Sequence, residues 1–251
     1  MNTELAQTHL NDDTRDIRAL IADTQAVLGE AVCEFPSGSL ALSFSGAEDV
    51  VLIDIAHRHG LHLDVFSLDT GRLHPETYEF LEVVRKHYDQ AIELLSPNPI
   101  GVQEMVKAKG LFSFYTDGHS ECCNVRKVQP LRQKLDTLAA WVTGQRQDQG
   151  VTRTALAQRQ TDEVFSTEKR QLVKFNPLAH WTSADVWQYI RTYQVPYNPL
   201  HDRGFVSIGC QPCTRATGPY EHERAGRWWW EQAENKECGL HAKRIIPLAQ
   251  R

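Results

Sequence analysis

Six cysteines stand at positions 33, 122, 123, 210, 213 and 238, and five of them are placed where they could do chemistry. Cys122 and Cys123 are adjacent, Cys210 and Cys213 form a C-x-x-C pair, and Cys238 stands alone in Glu237-Cys238-Gly239-Leu240-His241. Four thiolates can close a metal or iron–sulfur site, and a fifth can serve as a nucleophile. A structural zinc ion is usually held by two C-x-x-C-like pairs, whose spacing turns both sulfurs toward one ion. Adjacent side chains diverge instead. That suits two irons of a [4Fe-4S] cluster better than one zinc ion, with zinc and a chance grouping as the alternatives. Arg126 and Lys127 follow within a helical turn, so positive charge stands beside the pair.

Cys238 taken alone reads as a bystander, as single cysteines near a chain end usually are. Its surroundings favour a role: Gly239 gives backbone freedom, and His241 is a nearby proton or charge partner. Upstream, Arg215, Arg224 and Arg227 are cations able to stabilise an anion and lower a thiol pKa. Trp228-Trp229-Trp230 reads as packing for the tail rather than as a stacking platform.

The elements that must carry these groups alternate. Apolar residues recur at helical spacing over 14–32, and Leu40 to Phe44 is a short buried strand. A helix resumes over 50–57, and 62–68 is a second strand ending in Asp69-Thr70-Gly71. Pro75 opens a helix to Tyr88, and 91–95 and 139–143 are further strands. Strand alternating with helix predicts an α/β domain, its parallel sheet flanked by helices. The polar, arginine-bearing stretch 145–168 has no period and reads as a long functional or mobile loop. Thr182 is an N-cap for a helix to Tyr193, and 196–213, rich in Pro and Gly, reads as irregular.

The turn after the first strand, Ser45-Gly46-Ala47-Glu48-Asp49, offers backbone N–H groups and a helix end to an anion. It lacks the Gly-Lys-Ser/Thr of a Walker loop. Glu48 and Asp49 would repel a polyphosphate, so the turn suits a nucleotide's sugar or a single phosphate; a plain βα turn is the alternative.

The chain has 251 residues, 41% hydrophobic and 24% charged, with a formal net charge of −5, which speaks against general binding to nucleic acid or anionic membrane. No segment approaches the ~18 apolar residues of a membrane span, and residues 1–7 lack the basic start of a secretion signal. A cytoplasmic, reducing location is expected, where clustered cysteines more often bind metal or react than pair as disulfides.

Together these motifs resemble the assimilatory adenylyl-sulfate (APS) reductases of the phosphoadenylyl-sulfate/adenylyl-sulfate reductase family. The resemblance runs from about Leu40 to His241, through residues 43–49, 68–72, 122–127, 141–146, 196–201, 209–215 and 237–241. It implies an adenine nucleotide alpha-hydrolase-like fold with a modified PP-loop, a single reductase domain over 1–225 and a flexible C-terminal tail over 226–251. It implies that Cys122, Cys123, Cys210 and Cys213 hold one [4Fe-4S] cluster, and it favours adenosine 5′-phosphosulfate over the 3′-phosphorylated nucleotide. Cys238 is then the nucleophile that forms an S-sulfocysteine, with Lys127 and His241 as further catalytic candidates. Ser43, Ser45, Gly46, Glu48, Asp49, Arg146, Arg224 and Arg227 are the substrate-binding candidates. A separate dithiol protein, thioredoxin or a glutaredoxin-like donor, supplies the electrons, and the sequence leaves a homo-oligomer open. Gln147 stands where the family often has a second arginine. Competing readings are reduction of the 3′-phosphorylated nucleotide, a pyrophosphate-loop enzyme that adenylates RNA with ATP, and a zinc-stabilised binding module.

Overall fold

The computed structural model describes residues 16–150 and 153–231. Strand β1 (Leu40–Ser43) is buried along nearly all its length, because neighbours lie on both edges and helices cover both faces. β2 (Asp64–Leu68), β3 (Ile92–Leu95), β4 (Ala140–Val142), β5 (Arg159–Thr161) and β6 (Val173–Phe175) complete one sheet in the order β3-β2-β1-β4-β6-β5. Every pairing is parallel except β5 with β6.

Helices α1 (Ile17–Glu34), α2 (Ala47–Arg58), α3 (Pro75–His87), α4 (Pro99–Lys109), α5 (Ser120–Cys123), α6 (Gln129–Leu135) and α7 (Ser183–Tyr193) surround the sheet. Along β1, Leu40 and Leu42 enter the larger apolar core with α1, α2 and α7, while Ala41 enters a second core with Leu131, Leu135 and Trp141. That alternation is the two-residue period of a strand covered on both faces. Asp54 of α2 is buried yet satisfied: Tyr88 and Tyr189 donate to it at 2.9 and 2.7 Å, and Arg58 Nε at 2.5 Å. Among the described residues no helix is long and apolar enough to cross a membrane.

The chain leaves β1 toward β2 and β3, then crosses back to add β4 on the other edge of β1. The carboxyl ends of β1 and β4 are therefore the topological switch point, where open α/β sheets hold their ligands.

Several segments differ from the sequence reading, which has no element at β6 or over the helical stretch from α5 to α6. The stretch 145–168 is not one loop, because it contains a 3₁₀ turn at Gln147–Gln149 and strand β5. That strand is three residues long, polar and at the sheet edge, so it carries no apolar period; Arg159 fastens it to Glu34 of α1 at 2.6 and 2.8 Å. Helix α4, capped by Asn98 with Pro99 in its first turn, was not anticipated. The irregular region 196–213 contains two 3₁₀ turns, Pro199–Arg203 and Gln211–Cys213. Thr182 caps α7 as expected, in a capping box with Asp185.

Candidate functional site

At the switch point a cavity opens between the turn after β1, the segment after β4 and residues 206–227. Of the substrate-binding candidates, Ser43, Ser45, Gly46, Glu48, Asp49, Arg224 and Arg227 line it, and so does Lys127. Three of the turn's donors are already used. Asp49 Oδ2 accepts from Ser45 N (2.7 Å), Ser45 Oγ (2.8 Å) and Gly46 N (3.1 Å), and its Oδ1 accepts from Gly144 N (2.9 Å). One carboxylate thus stitches the β1 turn to the β4 turn. The approach demands glycine at 144, since a Cβ there would meet Asp49 Oδ1 and Glu48 Cβ at 2.6 Å.

Burial, then the charge of Glu48, raise the Asp49 carboxyl to about 6, and its hydrogen bonds offset only part of that rise. Above its unfolded value of 3.8 and below about 6, the folded chain holds the extra proton. This group's contribution to stability therefore falls as pH rises through that window. Native protein should gain thermal midpoint relative to Asp49→Asn as pH drops from about 7 to about 5.5. Asp49→Ala, which strips the buried Gly144 N–H of its acceptor, should lose about 2 kcal/mol at pH 7 and more as pH falls toward about 5.5, read by thermal denaturation.

Arg146 lies beneath the cavity rather than in its lining. It is 1% exposed, and its guanidinium meets Glu48 (3.0 Å), Glu223 (3.2 Å) and Asp148. Burial raises the Glu223 carboxyl, with Arg146 opposing. Arg227 packs its guanidinium against Gly209 and lies 4.7 Å over the Trp228 ring, with Nη1 donating to Ile208 O at 2.9 Å.

Three lining residues escaped the sequence reading: Arg153, His201 and Glu223. Arg153 stands in the polar stretch 145–168, whose arginine-bearing character is the available signal. His201 stood in a quoted motif without a role. Burial holds its imidazole below the usual range, and its Nε2 has no partner among the described residues; nor do Arg227 Nε and Gln145 Nε2. Buried donors without partners, converging on a cavity with several cations, suit an anionic ligand.

Cys122, Cys123, Cys210 and Cys213 line a second, small cavity. Cys122 and Cys123 end α5, which runs into a π-turn at Asn124–Val128 and then α6, so both sit at a local widening of one helical stretch. Cys210 and Cys213 flank a 3₁₀ turn, and Thr70 Oγ1 lies 3.2 Å from Cys210 Sγ. Phe114 and Trp228 pack against the sulfurs, and Trp228 N donates to Cys213 O at 3.0 Å. Trp228 thus packs beside the cage cysteines, more specific than general packing for the tail.

The donor set fits a sulfur-ligated cluster. Burial pushes the Cys213 thiol up to about 12 and raises that of Cys122, so thiolates need a bound cation here. Arg72 Nη1, Arg126 Nε and Trp228 Nε1, in residues around this cage, are buried donors without partners among the described residues. No three described His, Cys, Asp or Glu side chains converge as a single metal ion requires. Lys127 and Cys210 line both cavities, which makes them the shared wall, with Lys127 Nζ 6.0 Å from the Trp228 ring centre. Cys238 and His241 lie outside the described residues.

The model of the phosphoadenosine phosphosulfate reductase domain matches residues 39–216. A protein of Pseudomonas aeruginosa named adenosine 5′-phosphosulfate reductase is 56% identical over 221 residues, 88% of this chain and 83% of that one. One of the same name from Allochromatium vinosum is 45% identical over 247 residues, 98% of this chain and 93% of the other. The crystal structure of phosphoadenylyl-sulfate reductase from Candida auris, in complex with phosphate, superposes with a TM-score of 0.65 at 27% identity, covering 86% of this chain and all of that one. The sheet and its β1 turn are those of the adenine nucleotide alpha-hydrolase-like fold. The chain belongs to the phosphoadenosine phosphosulfate reductase domain family, an oxidoreductase family, alongside the members named adenosine 5′-phosphosulfate reductases.

Proposed function

We propose that this chain reduces adenosine 5′-phosphosulfate to sulfite and AMP in sulfate assimilation, within the cytoplasm. The observation that carries the reading is the shared wall: Lys127 and Cys210 border both a cation-lined crevice at the switch point and a cage of four cysteines. The names of the relatives supply the substrate. Glu48, Asp49 and Glu223 on the lining disfavour the additional phosphate of the 3′-phosphorylated nucleotide.

Cys122, Cys123, Cys210 and Cys213 would hold a [4Fe-4S] cluster. When bound, it supplies fixed charge and rigidity beside the reacting group, and no electrons. The Cys238 thiolate attacks the substrate sulfur, forming an S–S bond while the S–O bond breaks and AMP leaves with the electron pair. Lys127, Arg224 and Arg227 hold the charge that grows on the departing oxygens. His241 assists the part of the tail that follows Glu231 in meeting the crevice, since Arg227, Trp228 and Glu231 are already packed in place. A dithiol protein, thioredoxin or a glutaredoxin-like one, then attacks the Cys238 sulfur and releases sulfite. Its second thiol resolves the mixed disulfide, so two electrons pass from the dithiol and Cys238 is restored.

Anaerobically purified protein should contain iron and acid-labile sulfide in equal amounts and little zinc. Its kcat/KM for adenosine 5′-phosphosulfate should exceed that for the 3′-phosphorylated nucleotide by roughly 100-fold. Zinc without sulfide would remove the cluster, and a reversed preference would remove the substrate assignment.

A further inference from the structure

Leu111, Phe112, Tyr115 and Trp229 form an exposed apolar face on the outer wall of the cysteine cavity, 56%, 58%, 41% and 49% exposed. The aromatic rings belong to one connected set: Phe112 meets Phe114 and Tyr115, Tyr115 meets Trp230 at 4.4 Å, and Trp230 meets Trp229 at 5.6 Å. The face is held in place. Arg72 lies 5.6 Å under Phe112 and 5.2 Å under Phe114 while donating to Leu111 O at 2.5 Å. Tyr115 donates to Pro212 O of the C-x-x-C turn at 2.8 Å, and Trp230 Nε1 to Phe114 O at 3.2 Å. Aromatic residues kept open to water on a preorganised support mark a surface that binds another macromolecule.

The path of the chain selects the occupant. Glu231 clamps the segment beside this face, its carboxylate accepting from His119 N at 2.8 Å and lying 2.7 Å from His119 Nδ1. Cys238 follows seven positions later. A fully extended chain of that length spans at most about 25 Å, so the Cys238 sulfur stays within that radius of the clamp. A protein that attacks this sulfur has to come within that radius of Glu231, which follows Trp229 and Trp230 in the chain.

We propose that Leu111, Phe112, Tyr115 and Trp229 are the docking face for a protein that presents a dithiol from an apolar rim and regenerates Cys238. The proposal rests on the S-sulfocysteine reading and adds the surface that reading lacks. The docked thiolate attacks Cys238 Sγ, the S–S bond to the sulfonate breaks, and sulfite leaves with the electron pair.

The test uses the full-length, cluster-loaded enzyme with the double variant Leu111→Ser, Phe112→Ser and, separately, Trp229→Ser. Each is assayed with adenosine 5′-phosphosulfate and either a thioredoxin or dithiothreitol as reductant. The KM for the thioredoxin should rise about ten-fold or more, while turnover with dithiothreitol and the nucleotide KM stay within about two-fold of native. An unchanged thioredoxin KM overturns the proposal, as does an equal loss with dithiothreitol. So does a variant that changes the sedimentation mass, which would assign the face to a second copy of the chain. Mass spectrometry of native enzyme with nucleotide keeps the two levels apart: absence of an SO3 adduct overturns the underlying mechanism and the docking face with it, whereas an adduct with unaltered thioredoxin kinetics overturns only the docking face.

Discussion

Cys238→Ser should reduce turnover of adenosine 5′-phosphosulfate to background, a loss of at least about a thousand-fold, with iron, sulfide and visible absorbance at native levels. The nucleophile in the proposed step is a thiolate, and a serine hydroxyl at neutral pH is too weakly acidic to replace it. Mass spectrometry is the decisive measurement. Native enzyme mixed with nucleotide, without reductant, should carry added SO3 on the peptide that includes Cys238, and a dithiol should discharge it as sulfite. The serine variant should show neither, while still binding AMP as native enzyme does. A Cys238→Ser enzyme that turns over normally removes covalent catalysis from the account. The four cage cysteines would then be the remaining sulfur donors, and loss of iron in their variants would be the next quantity to measure.

The chemistry-bearing residues were legible in the sequence where residue type alone restricts their use. Two adjacent cysteines and a C-x-x-C have few roles in a reducing compartment, and the structure brings all four to one cavity. The β1 turn was legible because a buried strand, a short Ser/Gly turn and a helix follow one another without interruption.

What stayed hidden depends on contacts distant in sequence. Arg146 looked like an anion contact within its own loop, yet its guanidinium is taken by Glu48 and Glu223, 98 and 77 positions away. In the sequence Asp49 reads as a charge that repels a polyphosphate. Its bond to Gly144, 95 positions on, makes it the stitch between the two turns of the switch point. β5 was hidden for another reason: an edge strand of Arg, Gln and Thr shares the polarity of a loop, and only its pairing with β6 and its ion pair to α1 distinguish it.

Lys127→Ala should lower kcat/KM by about 10²- to 10³-fold while iron and sulfide content stay at native levels. Lys127 is 8% exposed, on the π-turn that follows Cys122 and Cys123, and it lines both cavities. A π-turn admits one extra residue per turn, which lets the cysteines and the lysine serve neighbouring sites from one helical stretch. Its charge is buried beside the Trp228 ring, so it acts on the developing negative charge with little screening by water or salt. Removing it should therefore affect the transition state more than ground-state binding, lowering kcat with a smaller change in KM. Lys127→Arg, which retains a cation, should recover part of the rate, and Lys127→Met, which keeps only the stem, should not. In native enzyme, adding the nucleotide should perturb the visible band of the cluster, because one side chain borders both groups; the alanine variant should bind nucleotide with that perturbation diminished. Activity that falls only in step with iron content would instead assign Lys127 to cluster assembly.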